Sequence, residues 1–259
     1  MGESEKLETP DRDSDFYYPL EYTAENIQRE FLFELENSNF QPEDKERIWR
    51  GYELAIELHR GQTRREARHL PYIVHPIEVA LAVLRAGGSP DSVIAALLHD
   101  VREDSEWLQK LDNGEIAKKF ESRVVEVLTR LLSKYRFECD EVVKLSPKEY
   151  FSRLSGDSTA VWIKALDRRV NLMSLGRMLG RVSSDDPEYS EFTLQFVKKQ
   201  ILETREIVIP VVRAKYEKLA DNLEKLTNKL ATRLALAETF IAESTAQFSK
   251  SPVSTRRGA

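Results

Sequence analysis

Ser89-Pro-Asp-Ser-Val-Ile-Ala-Ala-Leu-Leu-His-Asp-Val-Arg-Glu-Asp104 reads as a helix that must be buried and that ends in chemistry. Ser89 is a natural N-cap, and Pro90 suits a first helical turn, where a missing N–H has no partner to lose. Val93, Ile94, Leu97 and Leu98 wrap most of the helix surface, so it belongs at the centre of a fold. His99 and Asp100 follow at its end, where packing would hold both side chains rigidly. On a continued helix, residues four apart stack on one face, putting His99 over Glu103 and Asp100 over Asp104.

Working outward, helical periodicity recurs and sustained strand alternation does not. Ile27, Phe31 and Leu35 make the stripe of a first helix, and Pro42 opens a second that runs to about His59. Pro76 starts another, which Gly87-Gly88 ends. Ile116, Phe120, Val124, Val127 and Leu131 mark an amphipathic helix, after which Ser133 to Pro147 is less regular and reads as a loop beside the substrate. Helices over Ser158 to Leu175 and Tyr189 to Ile207 follow. From Val211 to Thr245 helix formers are continuous, and Leu219, Leu223, Leu226 and Leu230 step as in a short heptad seam. The expected fold is all-α, a helical bundle with a long C-terminal amphipathic helix.

With 259 residues the chain can bury one sizeable core. We expect a disordered N-terminal segment over 1–20, a hydrolase domain over 21–210, the long helix over 211–247 and a disordered tail over 248–259. The net charge is −5 and the isoelectric point about 5.6, which disfavours general binding to nucleic acid or anionic membrane. The single cysteine, Cys139, excludes an internal disulfide and suits a reducing compartment. The start is acidic and polar, and no apolar run approaches the roughly 18 residues a spanning helix needs. A soluble, cytoplasmic protein is expected. No phosphate-binding glycine loop or nucleophile elbow occurs, so neither ATP use nor serine hydrolysis is indicated.

The candidate chemistry lies in four side chains. His75, His99, Asp100 and Asp167 carry the ligand types of a one-metal hydrolase site, and Asp167 stacks over Asn171 on a second helix. Such ligands suit manganese, iron, cobalt or zinc alike. Glu103 and Asp104, one turn beyond the ligands, are placed to accept and donate protons. A His-Asp dipeptide alone says almost nothing; the whole constellation is what points to a metal. His59 extends the apolar stripe of its helix and reads as a hydrogen-bonded structural histidine, and His69 as a solvated one. Arg64, Arg65 and Arg68 form a basic run whose guanidinium groups suit a phosphate or a base. Lys164, Arg168 and Arg169 flank Asp167 and read either as phosphate-facing charge or as a salt-bridged surface.

Gly61-Gln-Thr-Arg-Arg65, Pro71-Tyr-Ile-Val-His-Pro76, Ala95-Ala-Leu-Leu-His-Asp-Val-Arg-Glu-Asp104 and Ile163-Lys-Ala-Leu-Asp-Arg-Arg-Val-Asn171 occur in this order. Over about residues 45–210 the chain resembles the HD hydrolase domain of the RelA/SpoT group. The resemblance implies an all-α domain that removes pyrophosphate from the ribose 3′ position of (p)ppGpp with manganese, or with another divalent metal in its place. By position it implies His75, His99, Asp100 and Asp167 as metal ligands, Glu103 and Asp104 as the catalytic pair, and Arg64, Arg65 and Asn171 as nucleotide contacts. The chain departs from the family pattern at Glu66-Ala-Arg-His-Leu70, which lengthens the loop after the basic pair. It has no room for the family's synthetase and regulatory regions, so a small stand-alone alarmone hydrolase is expected. Alternatives are an HD phosphohydrolase acting on another nucleotide such as NADPH, or a non-catalytic alarmone-binding or antitoxin-like module. The long helix reads as packing on the hydrolase body, with a homodimer or a docked partner as the alternatives.

Overall fold

The computed structural model describes residues 23–64, 70–101, 118–132, 135–138, 141–183 and 185–250. Glu103, Asp104, Arg65, Arg68, His69 and Cys139 lie outside the described residues, as do residues 1–20 and 251–259 of the two terminal segments expected to be disordered; residues 248–250 of the expected tail belong instead to the last helix.

The fold is all-α in its core. Helices α1 (Ala24–Glu36), α2 (Pro42–Leu58), α3 (Val74–Arg85) and α4 (Pro90–Leu98) come first. They are followed by α5 (Ser122–Leu131), α6 (Pro147–Leu154), α7 (Ser158–Leu179), α8 (Pro187–Glu203), α9 (Ile209–Arg213) and α10 (Glu217–Lys250).

Helix α4 starts as its sequence dictates. The Ser89 hydroxyl accepts from the Ser92 amide at 3.3 Å, and Pro90 occupies the first turn. All of Val93 to Leu98 is buried, because α4 packs against α2, α3 and α5 at once. Burying one such side chain contributes about 1.5–3 kcal/mol, so this helix is the organising element of the core. Helix α3 ends as the Gly87-Gly88 pair requires. Gly87 sits at φ +76°, and the amides of Gly87 and Gly88 donate to the carbonyls of Leu84 (3.0 Å) and Val83 (2.9 Å). That closes the α3 carbonyls and turns the chain into Ser89, with glycine meeting the left-handed backbone at no steric cost.

Helix α7 is the second central element. Asp157 caps it by accepting from the Ala160 amide at 2.9 Å, and Ile163, Leu166 and Leu172 are fully buried. It packs on α3, α5, α8 and α10. Helix α8 continues through a single π-helical turn, Thr204–Val208, into α9. Pro210 has no N–H to offer the turn before it, and the widened turn accommodates that loss.

Two expectations are revised. The helix carrying His99 and Asp100 ends at Leu98, with His99 as its C-cap and Asp100 in the turn beyond. The His99 and Val101 amides reach carbonyls three residues back, a tightened final turn. The segment read as an irregular loop contains a two-stranded antiparallel hairpin, Tyr135–Glu138 with Glu141–Lys144, in which Arg136 pairs with Val143 and Phe137 with Val142. Four-residue strands are too short for alternation to stand out from a loop. The seam of the long helix faces inward: Leu219, Leu223, Leu226, Leu230 and Leu234 are buried, and α10 packs along α7 and α8. Among the described residues no helix is long and apolar enough to cross a membrane.

Candidate metal centre and nucleotide pocket

Three of the four expected ligands converge. His75 in the first turn of α3, His99 at the end of α4 and Asp167 in the middle of α7 each offer one ligand atom, and these atoms lie within 4.8 Å of one another. All three residues are buried. Asp167 Oδ1 is 3.0 Å from His75 Nε2 and 3.5 Å from His99 Nε2. The three helices can hold these atoms in place because their remaining faces are locked in the core.

The donor set fits a divalent ion. His99 Nδ1 donates to the Ala96 carbonyl at 2.7 Å, which fixes the tautomer and leaves Nε2 as a lone pair. That Nε2 is buried and, among the described residues, has no hydrogen-bond partner, an arrangement that costs about 1–3 kcal/mol unless something coordinates it. Asp167 is ionised. Burial pushes its carboxyl up, but the Lys164 ammonium, the largest opposing influence, and the facing His75 imidazole outweigh burial and hold it well below the usual carboxylate range. Lys164 takes Oδ2, and Asn171 Nδ2 donates to Oδ1 at 2.7 Å, so both oxygens are oriented.

Asp100 lines the same cavity but stands outside this triplet, and its Oδ2 accepts from the Tyr72 hydroxyl. The Tyr72 ring packs against His59, with centroids 5.0 Å apart. His59 is a structural histidine, as its stripe position suggested: it is buried, its Nδ1 donates to Gln62 Oε1 at 3.1 Å, and burial lowers its pKa.

Arg64 lines the cavity with its guanidinium engaged below it. Nη1 pairs with Glu78 at 3.0 Å and Nη2 donates to Ser174 Oγ at 3.1 Å, with both members of the ion pair almost wholly buried. Arg177 also donates to Ser174 Oγ, at 2.7 Å. This network joins the loop before α3 to α3 and α7 beneath the site. Of the three basic residues flanking Asp167, Lys164 turns inward to the carboxylate. Arg168 instead reaches Gln200 and Glu203 on α8, and Arg169 reaches Asn222 on α10.

The cavity has a volume of about 440 Å³, within the range of small-molecule sites. Tyr72, His75, Asp100, Lys164, Asp167 and Asn171 make its polar part. Met178, Phe192 and Phe196 make an apolar part that sequence reasoning did not single out. The two phenylalanines sit four apart on α8, a spacing that signals only a helix face and gives no hint of what the face lines.

Residues 51–137 match the HD domain family. The Aquifex aeolicus guanosine-3′,5′-bis(diphosphate) 3′-pyrophosphohydrolase is 32% identical over 137 residues, covering 52% of this chain and 18% of that protein. The Escherichia coli bifunctional (p)ppGpp synthase/hydrolase SpoT is 31% identical over 153 residues, 57% of this chain and 21% of that protein. The Borreliella burgdorferi guanosine-3′,5′-bis(diphosphate) 3′-pyrophosphohydrolase is 33% identical over 105 residues, 40% of this chain and 14% of its own length.

Over about half its length the chain is thus similar to (p)ppGpp hydrolases of the RelA/SpoT type, and residues 51–137 carry the HD domain match. It spans about a fifth of the length of the curated relatives it matches. The matched stretch contains α3 and α4, and so His75, His99 and Asp100 of the HD domain; Asp167 is brought to them by α7, beyond the residues of the family match.

Proposed function

We propose that this HD domain is a divalent-metal-dependent (p)ppGpp 3′-pyrophosphohydrolase that acts in the cytoplasm. The observation that carries the reading is the triplet of buried ligand atoms from His75, His99 and Asp167, opening into one cavity with a polar and an aromatic side. The names of the relatives support the choice of substrate.

In this reading His75, His99 and Asp167 hold the ion with Asp100 beside them, and manganese is the ion to load first. When bound, such an ion lowers the pKa of water toward neutrality and polarises a phosphoryl oxygen. The chain's own residues do the rest. Asp167 is kept ionised and aimed by Lys164 and Asn171, and Tyr72 orients Asp100. Water attacks the phosphorus attached to the ribose 3′ oxygen, the P–O3′ bond breaks, and pyrophosphate leaves. Glu103 and Asp104 accept the water's proton and return one to the 3′ oxygen. Arg65, Arg64 and Asn171 form the nucleotide-facing border, with Arg64 held by Glu78 as part of its frame.

The test is a substrate panel. The manganese-loaded protein is incubated with ppGpp, NADPH and a deoxynucleoside triphosphate, and released pyrophosphate and phosphate are quantified. Pyrophosphate and GDP from ppGpp in equal amounts are expected. Turnover of NADPH alone would keep the metal chemistry and replace the substrate, and no turnover of any of them would sink the enzymatic reading.

A further inference from the structure

The apolar part of the cavity has a definite place relative to the metal end. On α7, Asp167, Asn171 and Met178 share one face, with Met178 about three turns, or ~16 Å, beyond Asp167. Helix α8 runs back antiparallel to α7: Arg168 of α7 reaches Gln200 and Glu203 near the end of α8, and Ser190 near its start is tied to Ser183 in the connecting turn. Phe192 lies about three turns before Glu203 and is therefore opposite the Met178 end. Asp167 and Phe192 thus mark two ends of one elongated cavity, both in its lining.

The two phenylalanines are not equivalent. Phe196 packs against the core, while Phe192 is 48% exposed and lies parallel to Phe196, with ring centroids 5.8 Å apart and planes 7° apart. Phe192 thus stands half in solvent, held flat by a partly buried ring beneath it, with one aromatic face available for stacking. Here it stands in the lining of a cavity whose other end has the donors for a metal and Lys164 for negative charge.

We infer that Phe192, backed by Phe196 and Met178, is the stacking platform for the nucleobase of a nucleotide whose phosphates lie at the His75–His99–Asp167 end. This rests on the proposed function for its orientation, since that reading puts the reacting phosphates at the ligand triplet. Stacking uses the ring face and reads no hydrogen-bonding edge, so the platform favours a purine over a pyrimidine by overlap. Which purine is bound is decided by other groups.

Calorimetric titration of the manganese-loaded protein with GDP, CDP and inorganic pyrophosphate tests this. Phe192→Ala is expected to weaken GDP binding by roughly 5- to 150-fold while leaving pyrophosphate unchanged, and to narrow the GDP-over-CDP preference. Phe192→Trp should restore GDP binding, which a merely structural role for the side chain would not require. Phe196→Ala, which removes the backing ring, should weaken GDP binding less. Unchanged GDP affinity in Phe192→Ala, or an equal loss for GDP and pyrophosphate, overturns the platform. If ppGpp is not hydrolysed but a different purine nucleotide binds in a Phe192-dependent way, the platform stands and the alarmone reading falls. If the wild-type protein binds no nucleotide, both fall.

Discussion

Asp167 Oδ1 lies 3.0 Å from His75 Nε2, joining α7 to the first turn of α3. Neither residue is near the other in the chain, and both are buried. If the pair is half of a metal site, His75→Ala and His99→Ala should each lower manganese affinity by more than the ~10- to 100-fold typical of losing an outer-shell partner. Manganese at 100 times its Kd should stabilise the wild-type fold by about 2.7 kcal/mol and do so much less in either variant. Calorimetry and thermal melts with and without manganese check this. Asp167→Ala is a poorer probe, because it strands the Lys164 ammonium in the interior.

Glu103 and Asp104 are proposed as the proton-handling pair. General acid–base groups contribute about 10²- to 10⁴-fold. Asp104→Asn and Glu103→Gln should therefore each lower kcat on ppGpp within that range, with manganese affinity unaltered. Single-turnover rates alongside manganese titrations separate the two effects, and an undiminished rate removes that residue from the mechanism.

The sequence exposed the frame of this fold well and its pockets poorly. The Ser89-Pro90 start, the Gly87-Gly88 stop and the saturated apolar surface of α4 are local signals, and each appears where local chemistry puts it. His75, His99 and Asp167 come from separate helices, and periodicity alone cannot bring three helices to one point. Their grouping was readable from their ligand types taken together and from the ordered family motifs. Two features had no signal at all: which of Lys164, Arg168 and Arg169 turns inward, and that Phe192 and Phe196 line a cavity rather than a core. Both depend on how α8 crosses α7, a tertiary fact. The hairpin escaped notice because its strands are only four residues each.

Arg64 and Glu78 form an ion pair that is nearly inaccessible to water. Breaking a buried pair from one side leaves an uncompensated charge, so Glu78→Ala should cost about 3–5 kcal/mol in urea denaturation. Replacing both residues, as Arg64→Met with Glu78→Leu, should recover most of that loss. If Arg64 also faces the nucleotide, the double variant will remain stable while its KM for ppGpp rises. Full stability together with an unchanged KM would confine Arg64 to a framing role.

The start of α7 should respond to acid. Burial pushes the Asp157 carboxyl up, but hydrogen bonds from Arg123 and from the Ala160 and Thr159 amides outweigh it and hold it below its ordinary value of 3.8. Arg123 comes from α5, at 2.7 Å, so the same carboxylate caps α7 and ties it to its neighbour. A carboxyl depressed in the folded state binds fewer protons there than in the unfolded chain. Its stabilisation is therefore present above pH 3.8 and is lost as the pH falls through and below that value. Asp157→Ala should cost about 0.5–2 kcal/mol at pH 7, the range for losing an N-cap. The cost should shrink progressively as the pH falls below 3.8, where the wild-type advantage is itself being lost. Urea melts of both proteins across pH 3 to 7 give the difference directly, and a gap independent of pH would show that the cap owes nothing to the ionised carboxylate.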